Sequence, residues 1–160
     1  MSMLENLNIR TANLSENYII AEHFYKMFQD MGVPTDSIES NWLEITKEYI
    51  DNARKKLSYQ GFIAEVNNTI VGSASCQIFA GFTPIILKPE YLKYGYIWGV
   101  YVEANYRRQG IAKKLTGEAI AYLKSISCTK AILRASPQGK LLYSHLGFDE
   151  NNGMMQLDLS

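Results

Sequence analysis

The chain has 160 residues, 47% of them hydrophobic and 20% charged, which suits one domain around one packed core and makes a second domain improbable. Its 16 Lys and Arg balance 16 Asp and Glu, which excludes a global field for nucleic acid or an anionic membrane. No segment has the pattern of a signal peptide or the ~18 apolar residues of a membrane span, and Cys76 and Cys128 have neither disulfide-framework nor zinc-site spacing, so we expect a soluble cytoplasmic protein that binds no metal.

The first 57 residues predict one strand and two amphipathic helices. Residues 7–12 alternate apolar and polar side chains, which indicates a strand with one buried face. We expect Ser15 to cap a first helix that ends at Gly32, and Asn41 with Glu44 to form a capping box for a second helix. The apolar positions at helical spacing are Ile20, Phe24, Met27, Phe28 and Met31 in the first helix, and Trp42, Ile45, Tyr49, Ile50, Ala53 and Leu57 in the second.

A β-hairpin and a long loop are predicted next. Residues 62–66 and 70–79 are strand-like, and Asn67 and Asn68 between them tolerate the positive φ of a tight turn. Residues 81–95 contain two prolines among scattered apolar side chains, which is typical of a loop. Because long loops in compact domains often have a functional role, we interpret this segment as a candidate lid.

The rest of the chain predicts one parallel crossover between two strands. Residues 96–102 form a near-continuous apolar run typical of a central strand, with Gly99 a candidate bulge. A helix follows from residue 110, and then a strand over residues 130–135. A short helix over residues 140–146, closed by Gly147, and a last strand over residues 154–159 complete the pattern.

A phosphate site is indicated between the apolar strand and the helix that follows it, in the run Arg107-Arg108-Gln109-Gly110-Ile111-Ala112. The small residues Gly110 and Ala112 let the backbone approach a diphosphate, and unpaired N–H groups at a helix start point outward toward it. The arginines supply positive charge. We therefore predict a nucleotide-containing cofactor, the alternative being an ordinary helix start with surface arginines.

The order of the elements, this motif and the downstream segment Leu142-Tyr143-Ser144-His145-Leu146-Gly147-Phe148 together resemble the GNAT superfamily of N-acetyltransferases. The resemblance covers the whole chain in element order and is specific over residues 96–148. It implies a single GNAT domain over residues 1–160. The implied fold is a three-layer α/β arrangement, in which helices flank a central mixed, mainly antiparallel sheet splayed at strands 4 and 5.

The resemblance also implies acetyl-CoA as co-substrate. In the family the pantetheine arm inserts almost as an extra strand, and the amides of residues 108–112 receive the pyrophosphate. Ser136 either donates to the pantetheine or begins a Ser-Pro turn. The implied cofactor-binding residues are Val100, Tyr101, Val102, Arg107, Arg108, Gln109, Gly110, Ile111, Ala112, Lys113 and Ser136.

The reaction implied by the resemblance is direct attack of a primary amine on the thioester through a tetrahedral intermediate held by a backbone donor. Tyr143 matches the family's tyrosine, and its phenol, with a reference pKa of about 10, would be protonated and able to act as general acid. Its alternative role is packing near Phe148. The apolar strand offers no carboxylate as base: Tyr96, Trp98 and Val100 alternate with Ile97, Gly99 and Tyr101.

Glu22, His23 and solvent remain open as the base, and packing is the preferred role of His23. His145 is expected on the surface, because it lies two residues from Tyr143 on a helix. On the acceptor side, Tyr96 and Trp98 are the best candidates to line a pocket, because they precede the presumed acetyl position.

The function predicted from these patterns is acetyl transfer to the amine of a small molecule or a protein, both of which stay open. The alternative is a non-catalytic acyl-CoA sensor or interaction module, which the missing base motivates. A dinucleotide site is disfavoured, since no Gly-x-Gly-x-x-Gly follows the first strand. A homodimer is plausible from the apolar later strands and the loop.

Overall fold

The computed structural model describes residues 3–150 and 153–160, and a five-stranded sheet forms its centre. The strands lie in the order β1 to β5; all neighbours are antiparallel except β4 and β5, which are parallel. This is the mixed, mainly antiparallel sheet that the family resemblance implies. The strand bounds are Leu7–Thr11 for β1, Gln60–Val66 for β2, Thr69–Ile78 for β3, Tyr94–Val102 for β4 and Lys130–Leu133 for β5.

Helices cover both faces of the sheet, as predicted. On one face, Ile20 and Ile50 of two helices pack with Trp98 of β4. On the other, Ile111 and Leu115 of a third helix pack with Val71 of β3. Each of these three helices therefore buries one apolar stripe against the sheet. The helices are α1 at Asn17–Asp30, α2 at Trp42–Lys56, α3 at Ile111–Ser125 and α4 at Lys140–His145.

The β2–β3 hairpin and the β4–α3–β5 crossover confirm two further predictions. Asn67 and Asn68 have φ values of 52° and 66°, the conformation that a two-residue hairpin turn requires. Gly147 follows α4 with φ of 97° and ends it. Within the described residues, no helix has the length and apolar content needed to cross a bilayer.

Both predicted helix caps are wrong in detail. Ser15 lies inside a short 3-10 helix, Leu14–Glu16, and the Glu16 carboxylate instead accepts the N–H of Asn13 at 2.8 Å. Arg10 donates hydrogen bonds of 2.8 and 2.7 Å to the two oxygens of that carboxylate. These bonds hold Glu16 in position to cap the start of the 3-10 helix. Asn41 is at the N-cap position of α2, but its side chain makes no capping hydrogen bond, so the predicted capping box does not form.

The prediction of a last strand over residues 154–159 is also wrong. Residues 153–160 form no strand, and the side chains of Met155, Leu157 and Leu159 are 91%, 83% and 90% exposed. Alternating apolar residues make a strand only where a neighbouring strand receives their hydrogen bonds and side chains. The part of the chain that the structure describes provides no such neighbour for this segment. The fifth strand is likewise shorter than predicted and ends at Leu133.

Candidate functional site

A β-bulge in the middle of β4 marks the site. Trp98 and Tyr101 of β4 face Ser75 and Ser73 of β3, so three steps along β4 match two steps along β3. Gly99 supplies the irregularity with φ of 63°, a left-handed conformation that glycine adopts without strain. The predicted bulge at Gly99 is therefore confirmed.

The bulge changes which side chains share a face, and the predicted alternation along β4 is wrong beyond it. Val100 packs with Ile97 in the core under α3, whereas sequence alternation put these residues on opposite faces. Tyr101 lies on the α1 side, with its ring 5.0 Å from the ring of His23. The extra residue shifts the period-2 pattern by one position, so each later side chain turns to the other face.

The strands β4 and β5 part just before the bulge. Their paired residues run from Tyr94 with Lys130 to Ile97 with Leu133, and no pair follows. Residues 98–102 of β4 thus have no strand neighbour on the β5 side among the residues that the structure describes. Such an edge presents backbone N–H and C=O groups to a ligand that lies alongside it. Val100, Tyr101 and Val102, three of the predicted cofactor residues, are on this edge.

The start of α3 lies a few residues beyond this edge and has the geometry of an anion site. Gly110 precedes the helix with φ of 82°, and a Cβ there would meet no atom within 4 Å. Its conformation therefore requires glycine, while the space above it is open. The first intrahelical bond comes from the N–H of Lys114 to the Gly110 carbonyl at 3.1 Å, which leaves the N–H groups of Ile111, Ala112 and Lys113 without helical partners.

Arg108 strengthens the case for a functional turn. It is not glycine, yet it has φ of 62°. Left-handed backbone in such residues costs about 1 kcal/mol or more and clusters at ligand sites. Lys113 in the first turn of α3 is exposed, as an outer phosphate contact would require.

Arg107 is directed at the protein rather than at the open space above Gly110. Its Nε donates to the carbonyl of Val102 at 2.7 Å, and its guanidinium forms an ion pair with Asp30 at 2.5 Å. The same group lies over the ring of Tyr101, 5.4 Å from its centroid. Arg107 thus joins the end of β4 to the end of α1, a contact that the motif alone does not reveal.

Tyr143 and Ser136 belong to the segment around α4. The ring of Tyr143 packs at 6.0 Å from that of Phe148, and its burial raises the pKa of the phenol. Ser136 accepts the N–H of Gly139 on its hydroxyl at 3.2 Å and again on its carbonyl at 3.0 Å. The Ser-Pro turn is therefore the role of Ser136 that has contacts in the structure, and a pantetheine contact stays a prediction.

The face of β4 toward α1 and α2 carries an aromatic cluster around Trp98. That side chain is 7% exposed and donates its indole N–H to Gln77 at 2.9 Å. Phe24 and Tyr49 approach it edge-on at 5.2 and 5.3 Å. Trp98 is thus mainly a core residue. Tyr96 is half-buried beside it, and its burial raises the pKa of its phenol.

A buried polar chain connects α1 to β3 and to the end of β4. His23 Nδ1 lies 2.7 Å from the Ser73 hydroxyl, and its Nε2 lies 3.5 Å from the Glu103 carboxylate. Glu103 also accepts a hydrogen bond from Lys26 at 2.8 Å. Burial lowers the pKa of His23 to about 4, an effect that the negative charge of Glu103 only partly opposes.

Glu103 is the carboxylate near β4 that the sequence reasoning overlooked. It immediately follows the strand, whereas a carboxylate at this strand was sought only within residues 96–101, with Glu22, His23 and solvent as the other candidates. A carboxylate at the first position after a predicted central strand is a signal that would have found it.

Two other titratable side chains considered from the sequence lie on the surface. Glu22 is exposed, and His145 is on the surface as predicted. Across residues 3–150 and 153–160, no three His, Cys, Asp or Glu side chains form a group that could hold a metal ion.

Comparison with known proteins identifies the arrangement. The sequence model of the acetyltransferase (GNAT) family matches residues 19–148. A Clostridium acetobutylicum protein described as a predicted acetyltransferase, crystallised with acetyl-CoA, superposes with a TM-score of 0.79 at 24% identity, over 96% of each chain.

Two further solved structures have the same fold. A GCN5-related N-acetyltransferase from Ralstonia eutropha has a TM-score of 0.76 at 18% identity, over 96% of this chain and 99% of its own. Glucosamine-6-phosphate N-acetyltransferase from Arabidopsis thaliana has a TM-score of 0.66 at 20% identity, also over 96% and 99%. At these sequence identities, the structural likeness establishes the fold alone. It does not identify the acceptor of this chain.

Proposed function

Because the chain belongs to the acetyltransferase (GNAT) family, we propose that it transfers the acetyl group of acetyl-CoA to a primary amine. The observation that carries this proposal is the continuity of two backbone features. The unpaired edge of β4 at residues 98–102 leads within eight residues to the glycine-initiated start of α3. An extended arm and a diphosphate at its end would fit these two features in that order.

The backbone supplies most of the cofactor contacts in this proposal. Groups of Val100 and Val102 bind the pantetheine arm as a neighbouring strand would, and the amides of residues 108–112 receive the pyrophosphate. Bound acetyl-CoA supplies a thioester that an amine can attack. Arg107 positions this surface by fixing the Val102 carbonyl and does not itself contact phosphate.

Two groups of the chain then assist the transfer, one at the carbonyl oxygen of the acetyl group and one at the departing sulfur. The N–H of Val100, at the bulge, donates to the carbonyl oxygen as it gains negative charge. The amine forms a C–N bond, the C–S bond breaks, and the phenol of Tyr143 gives its proton to the departing thiolate. Since burial raises the pKa of Tyr143, the phenol keeps that proton at neutral pH.

The proton released by the amine goes to solvent in this proposal. His23 is buried and in contact with Ser73, and its lowered pKa of about 4 makes it a weak base. Glu103 is already bonded to Lys26. An acceptor amine that is partly neutral at the working pH needs no enzyme base. The pH profile of kcat/KM should then rise with the neutral fraction of the amine.

The test is a thiol-release assay with purified protein, acetyl-CoA and a panel of primary amines, beside a thermal-shift measurement with acetyl-CoA alone. We expect acetyl-CoA to raise Tm and at least one amine to release CoA stoichiometrically with acetylated product. The second candidate is a non-catalytic acyl-CoA sensor, favoured by the lack of an acidic side chain on β4 itself. A raised Tm without turnover for any amine would support the sensor and contradict the enzyme.

A further inference from the structure

A cleft between α1 and α2 lies beside the aromatic cluster, and its walls differ in chemistry from one end to the other. Two adjoining cavities form it, an inner one of about 200 Å³ and an outer one of about 510 Å³. Tyr25 and Trp42 line both, with their rings stacked at 4.3 Å. The cleft therefore has one continuous aromatic wall, suited to an apolar segment of a ligand.

The inner end of the cleft reaches the bulge in β4. Phe24 and Phe28 line this cavity only, and they meet edge-on at 5.0 Å. The Phe24 ring is also the nearest group to Gly99, 3.8 Å from the position that a Cβ would take there. Phe24 therefore borders both the inner cavity and the bulge.

The outer end of the cleft is acidic. Asp36 lines the outer cavity and Glu39 lines both, whereas no Lys, Arg or His lines either one. Neither carboxylate forms an ion pair or a side-chain hydrogen bond with any residue of the described chain. Two unpaired carboxylates beside half-buried aromatic rings attract an organic cation and repel a phosphate or carboxylate.

We propose that the acceptor is a small amine with two positive charges joined by an apolar segment. One amine lies at the Phe24 end and receives the acetyl group. The apolar segment lies along Tyr25 and Trp42, and the second ammonium lies against Asp36 and Glu39. The proposal rests on acetyl transfer as the function and adds the class of acceptor. It disfavours phosphorylated sugars, amino acids and acidic peptides.

The test compares three amines of matched length: hexamethylenediamine, hexylamine and aminocaproate. They differ only in the charge at the far end, which is positive, absent and negative. We expect kcat/KM to fall about 10-fold from the diamine to hexylamine, and about 10-fold again to aminocaproate, because each solvent-exposed carboxylate contributes a few-fold. The difference should lie in KM and shrink at high salt.

The double variant Asp36→Asn with Glu39→Gln should bring the three kcat/KM values to within about 3-fold of one another. Both residues are exposed, so the fold should not depend on them. Glu48→Gln, an exposed carboxylate elsewhere on α2, is the matched control and should keep the wild-type order. Aminocaproate acetylated as well as the diamine, or an order unchanged in the double variant, would overturn the proposal.

The same experiment separates this inference from the proposed function. If acetyl-CoA fails to raise Tm and no amine is acetylated, the function itself fails. If acetyl-CoA binds and amines are acetylated with no dependence on the far-end charge, only the assignment of the acceptor class fails.

Discussion

The proposed cofactor side and the proposed acceptor side of β4 differ in which atoms form them. On the cofactor side, the unpaired edge of residues 98–102 and the start of α3 present backbone groups, and the key positions are set by the φ angles of Gly99 and Gly110. On the acceptor side, side chains form the cleft, above all Trp42 and Glu39. A backbone surface suits a co-substrate shared by a whole family, whereas a side-chain surface can change with the acceptor.

We expect the largest effect from Tyr143, because it is the one side chain on the cofactor side that we propose takes part in the reaction. Tyr143→Phe removes the proton donor and should lower kcat about 100-fold while KM for acetyl-CoA stays within about 2-fold. The measurement is steady-state thiol release. Tyr18→Phe, at a 47% exposed position near the start of α1, is the control and should behave as wild type. An unchanged kcat in Tyr143→Phe would show that Tyr143 has only a packing role.

The backbone origin of the cofactor side is tested by Gly110→Ala. An L residue with φ near 80° costs about 1–2 kcal/mol, so acetyl-CoA affinity should fall about 10-fold or more. The measurement is calorimetric titration. Gly117→Ala in the same helix makes the identical change where φ is ordinary and no atom lies within 4 Å. This control should keep its affinity and gain about 1 kcal/mol of stability. Equal affinities in the two variants would contradict a backbone cradle.

A smaller effect should separate two roles of Arg107. If it fixes the Val102 carbonyl, then Asp30→Asn, which removes its partner, should raise KM for acetyl-CoA in the same direction as Arg107→Ala. We expect about 5-fold for Arg107→Ala and about 2-fold for Asp30→Asn, since the ion pair is largely exposed. Should Arg107 bind phosphate directly, freeing it from Asp30 would instead lower KM.

A further effect concerns stability rather than acetyl transfer, and it comes from His23, which connects α1 to the sheet through Ser73. The pKa of His23 is about 4 when folded and about 6.5 when unfolded, so the unfolded state binds more protons between these values. The free energy of unfolding should therefore fall as pH falls from 6.5 toward 4, by about 1 kcal/mol per pH unit from this group.

Urea unfolding at several pH values measures this dependence. His23→Gln should reduce the slope, whereas His145→Gln, at an exposed position, should not. The ion pairs of Glu16 with Arg10 also weaken in acid, so a remaining slope is expected in both variants. An identical slope in wild type and His23→Gln would mean that folding does not lower the pKa of His23.

The contrast between the two sides also explains what the sequence predicts well. The hairpin at Asn67 and the α3 start at Gly110 follow from local patterns, because turn and cap positions are fixed by backbone conformation. The family resemblance, rather than a local pattern, predicted the splay between β4 and β5. The splay requires no particular side chains, so the residues of the two strands do not indicate it.

Contacts between residues far apart in the chain could not be predicted from the sequence. The pair of Arg107 with Asp30 and the approach of Glu103 to His23 each join residues about eighty positions apart. The bulge at Gly99 was predicted, yet its effect on the face of Val100 was not, because a one-residue shift reverses every later position. Residues 154–159 alternate like a strand, but a strand depends on a neighbour that no local pattern specifies.

The most direct test of the account is a crystal structure of the protein with acetyl-CoA. We expect the pantetheine arm to lie along residues 98–102 of β4, with the thioester carbonyl at the N–H of Val100 and the pyrophosphate on the amides of residues 108–112. Arg107 should stay on Asp30 and Val102. A pyrophosphate bound away from the start of α3, or an arm held by side chains with the β4 edge uncovered, would contradict it.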